Sequence, residues 1–133
     1  MKNLDQICAE YGNKFAEQIS QALGKPKAAE TLITKALGVL QEQGIYAFAL
    51  FCKSRGSAEK PGAEKLNDLA KELLKDKLQL IGNGDFLEEI RKENGLTARL
   101  DDLMLAIQVL EKSLIYARFH AKAMAESQSE EEK

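Results

Sequence analysis

Residues 36–56 read ALGVLQEQGIYAFALFCKSRG. Ala36, Leu37 and Leu40 continue an apolar stripe that begins at Ala29, Leu32 and Ile33, and steps of three and four predict a helix from near Lys27. Gly44 is its stop signal. The chain restarts at once as IYAFALFC, residues 45–52. So short an apolar run is compatible with a strand. Ala and Leu dilute its aromatics, however, and its neighbours are helical, so it reads as a helix. A helix apolar on all sides belongs at the centre of a bundle. The stretch therefore predicts a buried helical hairpin, and with it an all-α fold.

The same period extends in both directions. Leu4, Ile7, Cys8, Tyr11, Phe15 and Ile19 form one stripe on a helix of about five turns, ended by Gly24 and Pro26. After the hairpin, KSRGSAEKPG (residues 53–62) concentrates Gly, Ser, Pro and charge and marks the longest loop. Pro61 suits the first turn of a following helix, striped by Leu66, Leu69, Ala70, Leu73 and Leu74 and reaching toward Leu80. Gly82-Asn83-Gly84 reads as a helix terminator. Asp85 is placed to cap a short helix, with Glu88 as reciprocal partner and Phe86, Leu87 and Ile90 as its apolar side. Asn94 and Gly95 end it, and Thr97 is the expected cap of the longest element. There Leu100, Leu103, Met104, Ile107, Leu110, Leu114, Ala117, Ala121 and Met124 hold a stripe for roughly eight turns. The expected architecture is a single compact bundle of about five to six helices over residues 1–126. The polar segment 127–133 is expected to be an acidic, disordered tail.

The 133 residues suffice for one domain with a core of its own, without disulfides or metal. Apolar residues make up 44% and charged residues 30%, and no apolar run approaches the roughly 18 to 20 residues of a membrane span. The N-terminus carries Asp5 and Glu10 among alternating residues, unlike a signal peptide. A soluble, cytoplasmic protein without membrane contact is the expectation. Cys8 and Cys52 stand far apart among apolar helical neighbours, a pattern of reduced core thiols. The formal charge is -2, but residues 126–133 hold four Glu against one Lys, which leaves Met1–Ala125 at about +1. That balance lacks the strong basic excess usual in nucleic-acid binders, yet it leaves room for a local patch.

Catalytic constellations are scarce. The single His, His120, has no nucleophile and acid in a hydrolytic pattern, and no ligand cluster has metal spacing. No cofactor, metal or catalytic residue is assigned, and the chain is expected not to be an enzyme. The pairs Glu88-Glu89 and Asp101-Asp102 sit at helix starts, where the backbone dipole favours negative charge. A phosphotransfer bundle would carry a Lys and a Gly after its His, whereas here Lys122 follows His120 and no Gly does. The basic residues give the remaining signal. Lys53, Arg55 and Lys60 fall in or beside the long loop, and Arg118 and Lys122 share a helix face. Both groups are candidate phosphate contacts. Tyr11, Tyr46 and Tyr116 are at helical spacing and read first as core, with stacking on bases as the functional alternative.

The segment TLITKALGVLQEQGIYAFALFCKSRG (31–56) resembles the small all-helical subunit of the type III-B CRISPR effector, the Cmr complex. There a helix leads through a Gly-centred turn into an apolar helix that ends in a basic residue. LMLAIQVLEKSLIYARFHAKAMAE (103–126) is similar to the closing amphipathic helix of that family, and Tyr11 stands where an aromatic is common. Small subunits of type III-A and type I effectors share the size and helicity. The resemblance implies a non-catalytic scaffold that self-associates in a stack beside other effector subunits along the guide RNA. It would help hold target RNA in antiviral defence, with Lys53, Arg55, Lys60, Arg118 and Lys122 as RNA contacts. A helical protein–protein adaptor and a His phosphotransfer domain are the alternatives.

Overall fold

The structure, a computed structural model, describes residues 3–131 and the side chains of 3–128. The described chain is all-helical: α1 (Leu4–Leu23), α2 (Pro26–Gln43), α3 (Ile45–Lys53), α4 (Lys60–Glu72), α5 (Phe86–Arg91) and α6 (Leu100–Glu131). Asn3 caps α1 by accepting from Gln6 N at 2.7 Å. Gly24 ends that helix in the left-handed region, φ 86°, and α2 returns antiparallel.

Gly44 joins α2 to α3 with no intervening loop. At φ 92° and ψ -177° it occupies a conformation that costs L side chains dearly. Its N–H donates to Leu40 O at 3.0 Å and its C=O accepts from Phe48 N at 3.1 Å, so one residue closes one helix and opens the next. Leu37, Leu40, Ile45 and Phe48 are buried around this joint. The predicted hairpin is present, but α3 is not the central helix. It packs on α2, α4 and α5, and Leu50 is 45% exposed. The centre belongs to α1, which packs against α2, α4 and α6 and buries Tyr11, Phe15 and Ile19 completely.

α6 runs parallel to α1: Cys8 lies against Val109 O (3.6 Å) and Gly12 faces Ser113, Tyr116 and Ala117. α4 runs antiparallel to α1, with Tyr11 bonded to Glu72 near one end and Gly62 against Leu23 at the other. The face that α6 turns inward differs from the expected stripe. Ala106, Val109, Leu110, Ser113, Leu114, Ala117 and Ala121 are buried, whereas Leu100 and Met104 are 67% and 53% exposed. Small side chains let α6 lie close on α1, and close approach outweighs the bulk of the two larger residues.

Three boundaries also differ. α4 does not continue as α-helix to Leu80; its ladder widens into a π turn over Leu73–Lys77, and Gln79, at φ 55°, reverses the chain. That reversal tucks Leu80 and Ile81 under the bundle. Thr97 does not cap α6. It sits in a 3-10 turn, Leu96–Ala98, and its hydroxyl donates to Ile90 O at 3.0 Å. Arg99 precedes α6 instead, its C=O accepting from Leu103 N at 2.9 Å. At the other end α6 continues through Glu131, past the expected boundary at 126. Extending a packed helix through Gln and Glu costs little per residue. The last two residues of the proposed tail, 132–133, lie outside the described residues.

Candidate nucleic-acid interface

The first basic group is largely engaged. Lys53 closes α3, exposed, with Nζ 3.9 Å from Asp85 Oδ1. Arg55 lies over the Phe51 ring, 4.0 Å from its centroid, and pairs with Glu59 at 3.6 Å. Glu59 also receives Lys35 Nζ at 3.1 Å. This stacked guanidinium, which shares Glu59 with Lys35, is a structural clamp of the loop onto α2 and α3. Lys60, the first residue of α4, is exposed and has no ion-pair partner among the described residues. An exposed pair such as Lys53–Asp85 is worth at most about 1 kcal/mol, so an incoming phosphate can exchange for it.

The second group is the more open. Arg118 is half-buried, with its guanidinium 5.8 Å from the Phe119 ring centroid. Phe119 is 61% exposed. Lys122, one turn on, is exposed and makes no ion pair among the described residues, bordering Lys27 and Glu30 of α2 in a shallow groove. α2 lies between the two groups: Lys35 marks the first and Lys27 the second, about 12 Å apart at the helical rise. They therefore flank one helix without merging into one site.

The aromatic that faces solvent is none of the tyrosines. Tyr11 is buried and donates to Glu72 Oε2 at 2.9 Å; burial and that carboxylate push its hydroxyl pKa well up. Tyr46 OH accepts from Arg91 Nη1 at 2.9 Å. Tyr116 OH donates to Asp5 Oδ1 at 2.8 Å, and Lys112 meets the same oxygen at 2.6 Å. Hydrogen bonds from Lys112 and Tyr116 hold the Asp5 carboxyl below its usual range. Sequence reasoning passed over Phe119 because it falls outside the apolar stripe, and that position was itself the available signal. It also passed over Lys25, which precedes Pro26 at the start of α2 and has no partner among the described residues.

Gly82-Asn83-Gly84 does something other than end a helix, since the helical backbone has already turned away at Gln79. It wraps the carboxylate of Glu89. Gly82 N donates to Oε1 at 2.7 Å and Lys92 Nζ meets Oε2 at 2.9 Å. A Cβ at Gly84 would fall 2.6 Å from Oε2. The Gly82 amide, then Lys92, lower the Glu89 pKa against the opposing effect of burial. The neighbouring cap forms in part: Asp85 Oδ2 accepts from Glu88 N at 3.4 Å, but the Glu88 carboxylate turns to Arg91 at 2.7 Å. Both carboxylates of this pair thus serve the fold.

Cys8 and Cys52 are free and buried. Burial raises both thiols, that of Cys52 to about 12, so neither is a ready nucleophile. His120 is exposed beside Tyr116, Phe119 and Ala123. Among the described residues no cluster of His, Cys, Asp and Glu is arranged to hold a metal ion, and no helix is long and apolar enough to cross a membrane. No family model matches the chain, and neither a curated protein nor a solved structure matches it.

Proposed function

We propose that this chain is a non-catalytic small subunit of a type III CRISPR RNA-guided effector complex, stacking along the guide-RNA backbone and helping to hold target RNA. The observation that carries the RNA-holding role is the triplet on α6: Phe119, 61% exposed, with the Arg118 guanidinium beside its ring and Lys122 unpaired one turn on. A solvent-facing aromatic flanked by cations can stack a base while the cations hold adjacent phosphates, a mode that tolerates any sequence. The resemblance supports the rest of the reading: its two segments coincide with the α2–Gly44–α3 hairpin and with α6.

The test is retention of target RNA by the assembled complex carrying Arg118→Glu with Lys122→Glu, and separately Phe119→Ala. The charge reversal should weaken retention and flatten its salt dependence, because fewer counterions are released. Phe119→Ala should cost about 1–3 kcal/mol of binding at any salt concentration. Unchanged retention in both variants would remove this surface from the reading.

A second reading, a protein–protein adaptor, has an observation of its own. Leu100 and Met104 are 67% and 53% exposed at the start of the same helix. An adaptor would purify with a single protein partner and no RNA, and Leu100→Glu with Met104→Glu would abolish that association. An effector subunit would instead purify with several larger subunits and a short guide RNA.

A further inference from the structure

We propose that Asn83 is a deamidation site of the folded chain and that its isoaspartyl product dismantles the Glu89 cradle. The chain holds two Asn-Gly pairs, Asn83-Gly84 and Asn94-Gly95. At such a pair the backbone nitrogen of Gly can reach the side-chain amide of Asn, because no Cβ crowds the approach. The nitrogen gives up its proton and bonds to Asn Cγ, the Cγ–Nδ2 bond breaks, and ammonia leaves, which closes a cyclic imide. Water then opens the ring at either carbonyl. Opening at Cγ leaves Asp; opening at the backbone carbonyl leaves isoaspartate, in which the main chain runs through Cβ and Cγ.

The two pairs sit in different surroundings. Asn83 and Gly84 are both exposed, and the Asn83 side chain has no partner among the described residues. Among those residues no amide of residues 82–84 donates to a backbone carbonyl. The Gly84 amide meets the Glu89 carboxylate, which Gly82 and Lys92 hold more firmly. Asn94 is locked instead. It occupies the left-handed region at φ 62°, in a turn closed by Gly95 N donating to Lys92 O at 2.8 Å. Gly95 is buried, and a Cβ there would fall 2.8 Å from both Glu89 O and Lys92 O. Its nitrogen can attack only after that hydrogen bond breaks and the turn leaves its packing, whereas the Gly84 nitrogen needs only rotation within an exposed loop.

The product alters the loop in two ways. Gly82 N lies 2.7 Å from Glu89 Oε1, and a Cβ on Gly84 would fall 2.6 Å from Oε2, so the two glycines face the two oxygens of one carboxylate. Isoaspartate adds a methylene to the main chain between them, and the longer backbone cannot keep both contacts. The reaction also replaces a neutral amide by a carboxylate near Glu89 and Asp85. Lys71 Nζ, 3.3 Å from Asn83 O, offsets part of that charge, so the added methylene is the more damaging change. The inference rests on the two Asn-Gly geometries and the cradle and stands apart from the effector-complex reading.

The experiment ages the full chain in mildly alkaline buffer, once folded and once unfolded in urea, and follows both asparagines by peptide mapping with mass spectrometry. Each residue's folded rate is divided by its own rate in urea, which removes the effect of neighbouring sequence. That ratio should be roughly tenfold or more higher at Asn83 than at Asn94, the worth of one backbone hydrogen bond with its buried partner. Anion exchange separates the product by its added negative charge, and its isoaspartyl fraction should unfold at a lower urea concentration than the parent, with a loss matching that of Glu89→Gln. Asn83→Asp, which supplies the charge without the methylene, should lose less. Equal ratios at the two residues, or an Asn83 that reacts only in urea, would overturn the site. An isoaspartyl form as stable as the parent, or an equal loss in Asn83→Asp, would overturn the link to the cradle.

Discussion

The same substitution, Gly to Ala, should act with opposite sign at two positions inside helices of this protein. In a free helix Ala is favoured over Gly by about 1 kcal/mol. At Gly38 in α2 an added Cβ meets nothing within 4 Å, so Gly38→Ala should stabilise by about 0.5–1 kcal/mol. At Gly12 in α1 the same Cβ would fall 2.6 Å from Tyr116 Cβ, 3.2 Å from Ser113 O and 3.3 Å from Ala117 N. The first distance is about 1.2 Å short of ordinary carbon contact. Two of those atoms are backbone and the third is fixed to it, so no rotamer relieves the clash and α1 and α6 must separate. Overpacking of this kind costs about 1–3 kcal/mol. The upper part of that range applies at the contact between the central helix and the longest one. After the propensity gain, Gly12→Ala should lose about 1–2 kcal/mol net. Urea unfolding followed by circular dichroism at 222 nm measures both variants, with equal m-values as the check that only stability changed. A Gly12→Ala protein as stable as the parent would refute the close α1–α6 approach on which the fold description depends.

Two further predictions concern the base of the bundle. Glu89→Gln should lose about 1–3 kcal/mol at neutral pH, because the Gly82 amide and Lys92 lose a charged acceptor. The Glu89 pKa is lowered from 4.5 in the folded chain, so between the two values the unfolded chain binds more protons. The stabilisation is thus present above pH about 4.5 and disappears as pH falls through the folded value. Urea midpoints measured from pH 7 to pH 3 should fall less steeply in the variant, and identical acid limbs would contradict the cradle. Arg99 donates to Leu80 O at 2.6 Å, to Gly95 O at 3.3 Å and to Asp102 at 2.6 Å, tying three segments together. Arg99→Ala should cost about 2–3 kcal/mol. Arg99→Lys should not restore it, since one ammonium cannot span three acceptors; full recovery in that variant would show the fork to be dispensable.

Much of the architecture was legible in the chain. Stripes at steps of three and four located α1, α2 and α6, and Gly24, Gly44 and Pro61 marked turns and starts where the structure has them. Local chemistry was legible where a residue acts on its own backbone, as Asp85 does at α5. It failed where the partner is remote. Glu89 reads as a dipole-favoured acid at a helix start, yet its carboxylate belongs to a loop seven residues earlier. Thr97 reads as a cap, yet its hydroxyl goes to Ile90.

The candidate site divides along the same line. Helical spacing placed Arg118 and Lys122 on one face, but nothing local could say that Arg55 is held by Phe51 and Glu59 while Lys60 and Lys122 stay unpaired. The sequence by itself determined that the chain is helical and where most of its helices turn, because period and glycine placement act over one or two turns of backbone. Only the tertiary structure decided which helix is central, which side of α6 faces inward and which charges remain free. The first two outcomes depend on how closely α6 can approach Gly12, a distance set by residues a hundred positions apart in the chain, and the third on pairs such as Lys35 with Glu59 that join separate elements.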